Sequence, residues 1–415
     1  MNTTRHALAA ACLATLVLLP APSRAATDPA RIIDALAAPA LAGRGAGTAG
    51  ERAAAELMIE WLAAAGAGPA VPGWRQEVVL PAASGGGVSA NVLGVVPGSG
   101  DLAGRWIIAG AHLDHLGRID PAGTDEPAAG EYYPGAGDNA SGVAALLGAL
   151  STLTGDLPDR SRRSLLVCGF GAEEIGLVGS TRLAADLPVP AGAVDAMLNL
   201  DAVGSLRGGP LNVAGLETCA RFTAMAEAAA GGVTLRAQPT GLMQSDHRPF
   251  VDGGIPALFL FTGGYPEMNS PADTPDAVDL DGVRQVAAVT AALLRDLLTA
   301  PGPFPFTPPL PVDAPAVAAG GNRQTWFGSV PDFSDADVAG YVIGAVAPEG
   351  PAARAGLRAG DVMTAMGGLP VTDLATFTTA LRRHDPGDVV EVELRRDGRP
   401  LRCYVTLGDR SRRGR

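Results

Sequence analysis

Three apolar runs stand out along the chain, at 105–111, 164–170 and 194–200. Each gives way to a histidine or a carboxylate: His112, the Glu173-Glu174 pair, and Asp201. Short runs with little polar interruption predict strands buried on both faces. Around them the apolar spacing is helical. It predicts helices over 28–41, 50–65, 141–153, 179–185, 217–230 and 279–299, with further strands over 74–80, 90–96 and 255–262. A glycine-rich turn falls at 84–87 and a long polar loop at 117–134. Alternating strands and helices predict an α/β domain with a mostly parallel sheet flanked by helices. In open α/β sheets, sites form outside the carboxyl ends of the strands, so the three polar clusters are expected on one rim. Asp138 reaches that rim just ahead of the helix at 141, whose N-terminal dipole favours a carboxylate.

The pattern changes at 301–315, where seven of fifteen residues are proline. Such a stretch reads as a semi-rigid linker, placed here at 301–321. A small unit follows over 322–408, with strands at 341–346, 361–366 and 389–394 and an amphipathic helix at 374–383. The first domain is taken as 28–300.

Composition narrows the function. The net charge is −12 and all 31 basic residues are arginine, which disfavours nucleic acid and anionic membranes as partners. Arg5 and His6 precede an apolar run at 7–19, with small residues at Ser23 and Ala25. That pattern predicts a signal peptide over 1–25 and an exported, periplasmic or secreted protein with no membrane attachment after cleavage. Cys168, Cys219 and Cys403 would remain, too few and too scattered for a disulfide framework.

His112, Asp138, Glu174 and Asp201 offer imidazole and carboxylate donors, which suit zinc. Each also has an ordinary reading: a satisfied buried histidine, a helix cap for Asp138, solvated carboxylates for the glutamates, a structural ion pair for Asp201. Asp114 is placed to orient the His112 imidazole. Adjacent glutamates at a strand end point apart, so one can bind metal while the other handles a proton. His115 and His247 are expected close to the site, in direct or supporting roles.

The ordered motifs His112-Leu113-Asp114, Gly137-Asp138-Asn139-Ala140-Ser141-Gly142, Glu173-Glu174, Asp201, Ser245-Asp246-His247 and Ser270-Pro271-Ala272-Asp273-Thr274 resemble those of the M28 family of zinc peptidases. The resemblance implies a zinc-exopeptidase-like fold, a dinuclear site and removal of N-terminal residues from peptides. It makes Glu173 the general base and Asp138 the bridge between two ions. One ion would be held by His112, Asp138 and Asp201, the other by Asp138 and Glu174. The family carries a Tyr-His pair where this chain has Met268-Asn269. Asn269 therefore stands in place of a ligand histidine, and the second zinc site is expected to be weakened, leaving one or two ions. Glu267 and His247 are the candidate substitutes. Over the tail, Trp326-Phe327-Gly328-Ser329-Val330, Gly350-Pro351-Ala352-Ala353-Arg354-Ala355-Gly356-Leu357 and Gly360-Asp361-Val362 resemble a PDZ domain, a small β-barrel-like module. This implies capture of peptide C-termini by the loop of Phe327, Gly328, Ser329 and Val330. His384 falls on the helix beside that groove. The expected function is an exported metallo-aminopeptidase acting on peptides. The alternatives are a degenerate peptidase fold that works through its PDZ domain, and a related aminoacyl reaction such as cyclisation.

Overall fold

The computed structural model describes residues 27–409 except 85, 120–130, 158–159, 191, 239, 241–244, 266, 310–324, 333–337 and 348–349. The signal peptide expected at 1–25 lies outside the described residues, as do positions 310–321 of the expected linker and the centre of the polar loop at 117–134.

The first domain opens with α1 (Pro29–Leu36) and α2 (Ala49–Ala64), capped by Asp28 and Thr48 through bonds to Ala30 N and Glu51 N. The strands β1 (Gly68–Pro69), β2 (Arg75–Val79), β3 (Val88–Val96) and β4 (Trp106–His112) follow. Then come α3 (Ser141–Gly155), β5 (Ser164–Phe170), α4 (Val178–Ala185), β6 (Val194–Leu200), β7 (Leu211–Ala214), α5 (Phe222–Ala229), β8 (Leu235–Gln238), α6 (Arg248–Asp252), β9 (Ala257–Phe261) and α7 (Leu280–Thr299). These strands form one nine-stranded sheet in the order β1-β3-β5-β4-β6-β9-β7-β8, with β2 also on β3. Its centre is parallel: β4 with β5 and β6, and β6 with β9. Antiparallel pairings join β3 to β5 and β7 to β9, so the sheet is mixed, with a parallel core.

Both faces are covered, which is why the central strands read as continuous apolar runs. One face packs Ile107, Ala109, Val167 and Leu198 against α1, α2, α3 and α7. The other packs Ile108, Leu166, Phe170 and Met197 with Phe250. Two predicted helices break early. The first stops at Leu36 and resumes as a 3₁₀ turn over Pro39–Arg44, because proline cannot continue a helix. The predicted helix at 217–230 begins only at Phe222. Thr218 Oγ donates to Gly215 O at 2.6 Å and accepts from Ala257 N at 3.1 Å, tying that segment to β9. The short strands β7 and β8 were not expected from the pattern; four residues each carry little periodic signal.

The tail comprises β10 (Thr325–Trp326), β11 (Ser329–Pro331), β12 (Tyr341–Val346), α8 (Pro351–Arg354), β13 (Val362–Met366), β14 (Leu369–Pro370), α9 (Leu374–Leu381), β15 (Val389–Arg396), β16 (Arg399–Thr406) and β17 (Gly408–Asp409). A six-stranded sheet runs β11-β12-β13-β15-β16, with β14 on β13; β10 pairs with β17. The unit has its own core of Phe327, Tyr341, Ile343, Met363, Phe377 and Val392. A capping box between Asp373 and Thr376 starts α9.

Candidate metal centre

β4, β5 and β6 run parallel, so their carboxyl ends share one rim, and the chain leaves it through His112, Glu173-Glu174 and Asp201. His112 is 2% exposed, and its Nε2 lies 3.2 Å from both Asp138 Oδ1 and Asp201 Oδ1. Its Nδ1 is 3.0 Å from the Asp114 carbonyl oxygen, which can only accept. Nδ1 therefore carries a proton, which leaves Nε2 as the ring atom that faces the carboxylates and could serve as a metal donor.

Asp114 differs from the expectation. Its carboxylate lies 3.8 Å from His112 Nδ1 and instead accepts from Glu173 N at 2.9 Å and Glu174 N at 3.2 Å. The backbone carbonyl of Asp114 orients the imidazole, and its side chain holds the turn that presents both glutamates. That turn needs the support, since Ala172 has a φ of 56°.

Two groups of three donors result. His112, Asp138 and Asp201 form one, and His115, Asp138 and Glu174 the other; within each, the donor atoms lie within 4.8 Å of one another. Asp138 is common to both. His115 Nδ1 is 2.8 Å from Glu174 Oε1, and His115 is 1% exposed. Among the described residues, neither Glu267 nor His247 joins such a group. Asn269 adopts a φ of 58°, and its buried Oδ1 has no partner among the described residues.

The field at the rim fits a cation. Burial pushes the Asp138 carboxyl up, and Glu174 and Asp201 add to the shift while His112 opposes it. Burial likewise drives Glu173 well above the usual carboxylate range, opposed by His112 and reinforced by Glu174. Burial opposes charge on His112, yet Asp201 and Asp138 hold its imidazole well above the ordinary value. Buried like charges around mixed nitrogen and oxygen donors are relieved by a divalent ion, and the donor set suits zinc.

The sequence model of peptidase family M28 matches residues 91–294. The first domain belongs to that family. A model of the PDZ domain matches residues 327–407. A probable leucine aminopeptidase of Arthroderma otae is 26% identical over 223 residues, covering 51% of this chain and 57% of its own length. The chain thus spans about half the length of that curated relative. The periplasmic pH-dependent serine endoprotease DegQ of Escherichia coli is 35% identical over 68 residues, 16% of this chain and 15% of that protein. Among solved structures, the zinc aminopeptidase BSAP of Bacillus subtilis superposes with a TM-score of 0.52 at 18% identity, covering 68% of this chain and 96% of that one.

The M28 domain holds its rim from behind. Asp273 accepts from Gly137 N at 2.8 Å and Asp138 N at 3.2 Å, fixing the backbone of the residue common to both groups; burial pushes Asp273 up to about 6. Ser245 Oγ donates to Asp201 Oδ2 at 2.7 Å and accepts from Asn199 Nδ2 at 2.8 Å. The buried Glu51 accepts from Ala172 N at 3.2 Å and Ser89 Oγ at 2.6 Å beneath the glutamate turn. Sequence reasoning missed Glu51, and it missed Arg44 and Tyr265. Arg44, 1% exposed, donates to the carbonyls of Leu36, Leu113, Pro134 and Gly135, clamping the loops that carry His115 and Asp138. Burial lowers its pKa to about 10 against the pull of Asp273 and Asp114. Tyr265 is buried with its hydroxyl over Gly137, where a Cβ would meet it at 1.9 Å. A side chain at 137 would displace it, so Gly-Asp-Asn begins with glycine for space.

In the PDZ domain, Phe327 packs edge-on to Phe377 at 5.2 Å, and Gly328 takes a φ of 81°. Ser329 Oγ lies 2.8 Å from the Tyr341 hydroxyl, and Ser329 and Val330 open β11 at the edge of the sheet. The His384 Nδ1 lies 3.7 Å from Asp388.

Proposed function

We propose that the chain is an exported, zinc-dependent aminopeptidase whose PDZ domain takes peptide C-termini. The observation that carries the reading is Glu173, half-buried beside two donor groups that share Asp138. His112, Asp138 and Asp201 would hold one zinc, and Asp138 and Glu174 would contribute to a second. Bound zinc supplies Lewis-acid polarisation of a carbonyl and acidifies water. Glu173 then accepts the proton from the attacking water and delivers it to the leaving amine. The M28 match and the leucine aminopeptidase relative support removal of N-terminal residues. Export is supported by the apolar run at 7–19 and by a relative named as periplasmic. No helix among the described residues is long and apolar enough to cross a membrane.

The test is Glu173→Gln, which keeps shape but accepts no proton. Turnover of aminoacyl substrates should fall by at least about 100-fold with zinc content unchanged. Turnover equal to wild type would overturn the assignment. Met268-Asn269 favours a second reading, in which a degenerate peptidase fold serves the PDZ domain. Absence of hydrolysis across a panel of N-terminal residues, with zinc bound, would select it.

A further inference from the structure

The second donor group has an unexpected composition. Its imidazole comes from the loop directly after β4, three residues beyond His112, and not from the segment at 268–269. His115 N donates to Arg44 O at 3.2 Å, and residues 45 and 115 form a bridge, so the backbone there is fixed. The ring is fully buried, and its Nδ1 faces Glu174 Oε1 at 2.8 Å. Asp138, already 3.2 Å from His112 Nε2, completes the triad. A lone His-Glu pair would be an ion pair. A third donor shared with a neighbouring triad makes a coordination geometry.

We infer that His115 supplies the nitrogen ligand of the second ion, in the place that Asn269 leaves. The inference rests on the zinc-peptidase reading and changes one of its consequences: both sites have one imidazole and two carboxylates, so both hold zinc firmly. An amide oxygen at 269 is a poorer donor for zinc than an imidazole. With His115 present, the site does not depend on it.

The experiment compares zinc per chain in the full-length mature protein after dialysis, for wild type, His115→Gln and His112→Gln. Glutamine at 115 keeps a hydrogen bond to Glu174 but is a weak zinc donor, so a merely structural role survives it. Wild type should retain two ions. His115→Gln should retain one, with the second bound at least about 100-fold more weakly, since even supporting groups around a metal cost 10–100-fold when lost. Zinc content unchanged by His115→Gln, at one ion or two, overturns the inference and leaves the peptidase reading standing. Wild type that holds no zinc overturns both. Cobalt-loaded wild type gives an independent check that needs no variant. It should show paramagnetically shifted imidazole N–H resonances from two histidines, and a single one overturns the inference.

Discussion

His247 stacks on Phe259 with ring centroids 4.7 Å apart, and neither ring nitrogen has a partner among the described residues. Burial, with Arg248 adding to it, pushes its imidazole down to about 3. The folded state therefore binds this proton less readily than the unfolded chain, whose histidine titrates near 6.5. Above pH 6.5 the group costs nothing. Below it the unfolded state gains protons first, and stability falls as pH drops towards 3. At pH 5 the loss is about 2 kcal/mol. His247→Phe keeps a ring against Phe259 and removes the titration. Its stability relative to wild type should rise by about 2 kcal/mol between pH 7 and pH 5, read by denaturant unfolding with zinc in excess. A parallel fall in both proteins would mean the histidine finds a partner when charged.

At the scale of elements, the site depends on loops held by backbone bonds. Arg44 gathers four carbonyls from three separate segments. Arg44→Met would take their donor from the Leu36, Leu113 and Pro134 carbonyls, while Gly135 O keeps Ala140 N at 3.2 Å, at a cost on the order of 3 kcal/mol. Arg44→Lys should recover only part, since an ammonium has three donors and lacks the planar fork. Equal unfolding midpoints for wild type and Arg44→Met would refute the clamp. The strands carrying His112, Glu173 and Asp201 were readable in the sequence because burial on both faces leaves nothing polar until the rim. Arg44 was not, because an arginine in a glycine-rich loop reads as solvated, and its acceptors lie up to 91 residues away. His115 could be placed near the site but not given a partner. Its contact with Glu174 depends on how two loops fold back from different strands. The exchange at Asn269 was visible; what fills the gap was a matter of geometry.

On the scale of the molecule, the tail has its own core, including Phe327, Met363 and Val392. Residues 322–408 should therefore fold alone and bind peptides ending in a free carboxylate. Amidation removes the charge that backbone N–H groups of the Phe327–Val330 loop would recognise. Calorimetry with matched acid and amide peptides is the measurement, and equal affinities would exclude this mode. The two domains also touch. Leu374, at the start of α9, packs against Ala214, Phe259 and Phe261 of the M28 domain. A methyl group built on Gly264 would come within 2.3 Å of Val330 and 2.8 Å of the Pro331 carbonyl oxygen. Gly264 precedes Tyr265, whose hydroxyl lies over Gly137 at the rim. The edge strand of one domain thus bears on the loop that furnishes the other with a buried tyrosine. A peptide that seated on β11 and moved Val330 would change the free energy of that loop. Thermodynamic reciprocity then applies: whatever factor the docked peptide imposes on affinity for an inhibitor at the rim, the inhibitor imposes on the peptide. Two ligands that never meet would report on one another through a single glycine.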